Sequence, residues 1–147
     1  MSRLPLVLAT LACCLAAGSA AAATTPIQGV RTPSANISCL ELPGPAHALH
    51  CELRSATYAG ALQRHCAAVA GLDWHGFELG PDAKARVTCS GGILYSPDTQ
   101  RPVYRTLAYG RTWRHGGFTC SSARTGLTCR DGHGHGLFLS RESWRAW

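Results

Sequence analysis

Six cysteines, Cys39, Cys51, Cys66, Cys89, Cys120 and Cys129, constrain this chain more than any other feature of its 147 residues. They follow an opening made of Met1-Ser2-Arg3, an apolar run from Leu4 to Ala17, and a close on Ala21-Ala22-Ala23. A charged start, a short apolar centre and a small-residue cleavage site read as a secretory signal peptide over residues 1–23. The run is short, and is interrupted by Pro5 and Gly18, so it is not read as a membrane span. Export would put the cysteines where disulfides form and persist, outside a reducing cytoplasm. Cys13 and Cys14 lie within the apolar run, and their flanks do not match a lipid-attachment site. The expected destination is therefore the periplasm or the exterior, without a lipid anchor.

Removing the leader leaves 124 residues, one domain in length. Leu, Ile, Val and Phe account for only 22 of them, a thin aliphatic supply for a folded core. A thin core with six exported cysteines points to a fold completed by three disulfides, each contributing about 2–4 kcal/mol. No CxxC pair occurs, which argues against a structural zinc site.

Sequence alone does not select one pairing, but turn chemistry gives a preference. Leu49, Cys51 and Leu53 alternate with polar residues and share one strand face. The turn Pro43-Gly44-Pro45 separates them from Ile37-Ser38-Cys39, which suits a Cys39–Cys51 bridge across a hairpin. Phe118-Thr119-Cys120 and Leu127-Thr128-Cys129 flank a second turn at Ala123-Arg124-Thr125-Gly126. Cys66 and Cys89 are then left to close the middle of the chain. Further short strands are expected at Ile93-Leu94-Tyr95, Val103-Tyr104 and Leu137-Phe138-Leu139. An Ala-rich helix is expected within residues 55–70, and a second short helix after Ser140, with Ser140 as its cap and Glu142 in its first turn. Residues 24–35 read as an extended lead-in, and residues 36–147 as a single domain. The fold class is mostly β, or a small α+β variant: short antiparallel hairpins, three disulfides and up to two short helices.

Thr32-Pro33-Ser34-Ala35-Asn36-Ile37-Ser38-Cys39 resembles the opening of a family of small exported bacterial proteins, the domain of unknown function 6636. Leu107-Ala108-Tyr109-Gly110, Phe118-Thr119-Cys120, Gly126-Leu127-Thr128-Cys129 and Gly134-His135-Gly136 are similar to that family's C-terminal half. The chain departs from the pattern twice. It has Ser90-Gly91-Gly92 where Asp is expected after Cys89, and Arg130-Asp131 where Asn is expected after the last Cys. The resemblance implies an exported, disulfide-bonded, mostly β domain and no particular activity.

No catalytic motif is present: no GxSxG, HExxH, Walker loop or dinucleotide-binding glycine pattern. No cofactor is implied, and an enzyme is not the expected reading. Two constellations remain. Asp131-Gly132-His133-Gly134-His135 spaces three potential metal ligands at alternate positions. An extended backbone would point Asp131, His133 and His135 to one face, and the alternative function is a small metal-dependent hydrolase built on them.

The other constellation is charge. Arg outnumbers Lys 13 to 1, as a GC-rich gene would produce. Residues 24–100 carry five basic against six acidic residues, whereas residues 101–147 carry eight Arg against Asp131 and Glu142. Arg105, Arg111, Arg114, Arg124 and Arg130, interleaved with Trp113 and other aromatics, are the candidate contact set. Guanidinium groups bond phosphate or carboxylate, and aromatic faces stack on rings. The expected partner is an anionic envelope polymer or another exported protein. Histidines add positive charge only below about pH 6.5, so binding should strengthen in mild acid.

Overall fold

A computed structural model describes residues 25–44, 47–92 and 100–147. The leader and the strand expected at Ile93-Leu94-Tyr95 lie outside the described residues. Among the described residues, eleven strands and one helix follow in chain order: β1 (Thr25–Arg31), β2 (Ile37–Leu42), β3 (Ala48–Leu53), α1 (Ala59–Ala70), β4 (Asp73–Leu79), β5 (Arg86–Ser90), β6 (Gln100–Thr106), β7 (Thr112–His115), β8 (Phe118–Ala123), β9 (Gly126–Arg130), β10 (Gly136–Leu139) and β11 (Trp144–Ala146). They form two sheets. Sheet A runs β5-β4-β3-β2-β1-β6, and sheet B runs β11-β10-β9-β8-β7. All pairings are antiparallel except β1 with β6.

Strand alternation sends one face of each sheet into a shared core. Val30, Ile37, Cys39, Leu49, Cys51, Phe77 and Leu79 come from sheet A; Trp113, Phe118, Cys120, Leu127, Cys129, Leu137 and Leu139 come from sheet B. Cys39 faces Cys51, and Cys120 faces Cys129, directly across their hairpins, and both pairs are disulfide-bonded. The Sγ atoms of Cys39, Cys51 and Cys129 lie within 4.8 Å of one another, so the two cystines meet at the centre of the core. Sulfur fills the volume that aliphatic side chains are too few to fill.

The third disulfide, Cys66–Cys89, ties α1 to β5. Gln63 adds to that attachment: its side-chain amide donates to Asp73 Oδ1 at 2.7 Å, and its oxygen accepts from the Trp74 N–H at 3.1 Å. The helix ends at Gly71, whose φ of 67° suits a left-handed cap. In β4, Gly76 sits at a register shift with φ 103°; a Cβ there would lie 2.1 Å from the Cys51 carbonyl oxygen, so the strands approach this closely only at glycine.

Two local expectations are corrected. The expected lead-in is extended, but Thr25–Arg31 is an interior strand of sheet A, flanked by β2 and β6. The residues after Ser140 form no helix. Ser140 Oγ accepts the N–H groups of Glu142 and Ser143 at 3.1 and 3.0 Å, and the chain turns back into β11. A serine hydroxyl captures nearby N–H groups equally well in a tight turn and at a helix start. Among the described residues no helix is long and apolar enough to cross a membrane.

Candidate functional site

β6 is the last strand of sheet A and β7 the last of sheet B, and the chain passes from one to the other through residues 107–111. Leu107 anchors this passage: it is buried in the core and its N–H donates to Arg31 O at 2.8 Å. Gly110 turns it, and its N–H donates to Ser122 O at 2.7 Å. Between the two edges lies a groove of about 760 Å³, lined among others by Gln28, Tyr104, Arg105, Arg111, Arg114 and His115. Arg105 pairs in register with Val30, and so projects from the same face of sheet A. Val30 is in the core, whereas Arg105, one strand further out, is exposed at the sheet edge.

Among the described residues no Asp or Glu lines the groove. Among the described residues, the Arg105, Arg111 and Arg114 side chains have no ion-pair, hydrogen-bond or aromatic partner. Trp113 is differently placed. It faces Cys120 across the strand pair and is buried in the core, so it closes the floor of the groove instead of offering an open ring face. Its ring stacks on His115 at 5.7 Å. His115 Nδ1 is hydrogen-bonded to the Glu41 carboxylate, whose other oxygen lies 3.4 Å from His47 Nε2. That cluster joins β2 to β7 at the end of the groove, and sequence reading missed it because Glu41 and His115 lie far apart in the chain.

The other two expected arginines stand elsewhere. Arg124 lies over the Tyr109 ring at 5.2 Å and borders a separate hollow with Thr32, Ser34 and Glu142. Arg130 lies over the Trp147 ring at 5.2 Å, in a cleft at the opposite edge of sheet B. The expected set therefore divides: Arg105, Arg111 and Arg114 come together with Trp113 beneath them, while Arg124 and Arg130 do not join them.

Asp131, His133 and His135 occupy the loop between β9 and β10, not an extended strand. Asp131 Oδ1 accepts the backbone N–H groups of His133 and His135 at 2.8 and 2.9 Å, and Oδ2 lies 2.8 Å from His135 Nδ1. Burial pushes the Asp131 carboxyl up. The His135 side chain and the two backbone donors outweigh it, and hold the group below its ordinary 3.8. His133 turns away to the β4–β5 loop, with Nδ1 2.7 Å from Pro81 O and 2.9 Å from Asp82 Oδ1. Among the described residues, the cluster of three ligand-type atoms within 4.8 Å is that of Cys39, Cys51 and Cys129, whose sulfurs are already disulfide-bonded.

The model of a family of unknown function (DUF6636) matches residues 9–145. No curated protein and no solved structure matches.

Proposed function

We propose, for a chain that belongs to the family of unknown function DUF6636, that the domain is exported and acts as a binding module, taking an anionic polymer of the cell envelope into the groove between β6 and β7. One observation carries the reading: Arg105, Arg111 and Arg114 line a single groove, and among the described residues no acidic residue lines it and none of the three is paired. Like charges that line one groove repel one another. A chain of repeating phosphate or carboxylate groups relieves that repulsion, because each guanidinium forms charge-assisted hydrogen bonds with one group and condensed counterions are released. Three internal disulfides support an oxidising compartment. The metal-dependent hydrolase alternative draws on Asp131, His133 and His135, and no distance in that loop favours it.

The test is retention of the oxidised chain on an immobilised polyphosphate as salt rises, beside the variant R105S/R111S/R114S. The wild type should elute late, with a log–log salt slope steeper than the variant's by about two to three. Equal elution of the two proteins at low salt would overturn the reading and leave a partner protein as the better search.

A further inference from the structure

The opposite edge of sheet B is also cationic, and its construction is different. There, among the described residues, β11 pairs only with β10, and a cleft of about 680 Å³ is lined by Lys84, Ala85, Arg130, Trp144, Arg145, Ala146 and Trp147. Its three cations come from three places: Lys84 from the loop before β5, Arg130 from the end of β9 and Arg145 from β11. Among the described residues no Asp or Glu lines it.

Both guanidinium groups are held by aromatic faces. Arg130 lies 5.2 Å over the Trp147 ring, and Arg145 lies 5.4 Å over the Phe138 ring. The register makes the first contact possible: Gly136 stands opposite Arg130 on one side and exchanges backbone hydrogen bonds with Trp147 on the other. A Cβ on Gly136 would lie 2.5 Å from the Trp147 ring, so a glycine there lets the indole lie across it toward Arg130. A ring face fixes a guanidinium by attraction to its charge but accepts none of its in-plane N–H groups. Two forks are thus positioned in advance, with their donors unfilled.

The backbone adds donors. Gly136 with Trp147 and Ser140 with Ser143 are hydrogen-bonded pairs, so alternation in an antiparallel ladder turns the N–H groups of Trp144 and Ala146 to the open edge. Among the described residues neither has a partner. We infer that this cleft is a second binding site, which takes the phosphate or carboxylate oxyanion of a small ligand between Lys84, the Arg130 and Arg145 forks, and the free edge of β11. The inference does not rest on the polymer groove, since the two sites share no lining residue.

The experiment is a titration of the ¹⁵N-labelled, oxidised chain with inorganic phosphate and, separately, with glucuronate, at constant ionic strength. The chain's four tryptophans give four indole N–H signals. Trp144 and Trp147 should shift and saturate, while Trp74 stays in place. The stronger of the two probes identifies the source of the oxyanion. K84S/R145S should weaken the response about tenfold or more, and R105S/R111S/R114S should leave it unchanged. The arginines and Lys84 are exposed, and unchanged indole dispersion in each variant reports that it has folded. Absence of saturable shifts with either probe overturns the inference. So does a response kept in K84S/R145S, or lost in the groove variant; the last result would move the oxyanion to the other edge without touching the polymer reading.

Discussion

Among the described residues, Arg105, Arg111 and Arg114 have no partners in the groove between β6 and β7; Asp131, His133 and His135 have theirs in and around the loop between β9 and β10. Both regions belong to the same third of the chain, and both look functional as strings of residue types. The difference lies in where the hydrogen-bonding capacity goes. In the loop, one carboxylate gathers two backbone N–H groups and an imidazole, and a second imidazole ties the loop to the β4–β5 turn. The carboxylate and both Nδ1 atoms are thereby engaged in holding the fold. In the groove, three charged forks contribute no bond to the fold, so their capacity remains available to something outside it. A polar cluster that bonds within the fold serves structure, and exposed guanidinium groups that bond nothing in it are free to exchange water for a ligand.

The largest expected effect comes from removing the frame under both regions. The β8–β9 hairpin carries β7 on one side and leads into the Asp131 loop on the other, and its Cys120–Cys129 bridge meets the Cys39–Cys51 bridge in the core. C120A/C129A should lower unfolding stability by about 2–5 kcal/mol, read by urea denaturation of the oxidised protein. Retention on polyphosphate should fall with it. A variant as stable as wild type would mean that the aliphatic and aromatic core holds the hairpin without sulfur.

A direct test of the contrast is smaller in energy. D131A leaves two backbone N–H groups without their acceptor and should cost about 1–2 kcal/mol in urea unfolding. R105S/R111S/R114S, though it changes three residues, should stay within about 0.5 kcal/mol of wild type. Binding should respond the other way, lost in the arginine variant and kept in D131A. If the arginine variant is the less stable of the two, the groove is structural and the comparison inverts.

Much of the frame was legible because it is local. Cys39 and Cys51 flank one turn, Cys120 and Cys129 another, and alternation puts each pair on a shared face. Arg105, Arg111 and Arg114 lie close together in the chain, so a single passage between two edges gathers them. What was not legible depends on distant partners or shared chemistry. β1 reads as a lead-in because Pro26 and Gly29 break its pattern, and its parallel partner β6 comes only after four intervening strands. Ser140 looks like a helix cap because the same hydroxyl geometry closes a turn. Mistaking that turn hid the alternation of β11, and with it the outward direction of Arg145. Lys84 reaches the same cleft from the loop before β5, which no local pattern announces.

The smallest expected effect sharpens the contrast by pH. Pro81 O and the Asp82 carboxylate raise the pKa of His133 above its ordinary 6.5, favouring the imidazolium in the folded state. Its contribution to stability is then fully present below the unfolded value and is lost as pH rises through the folded one. The gap in urea midpoint between wild type and H133A should therefore be wider at pH 5.5 than at pH 8.5. His133 and Asp82 are both exposed, so the change should be small and should shrink further in salt. Asp131 has the opposite sign. Its carboxyl is held below 3.8, so its contribution is present above that value and is lost only as pH falls through the lower, folded one. The gap between wild type and D131A should thus stay flat from pH 5.5 to 8.5 and close only in stronger acid. A flat H133A gap over the same range would mean that Nδ1 donates to Pro81 O from a neutral imidazole, making that tie a simple hydrogen bond with no charge in it.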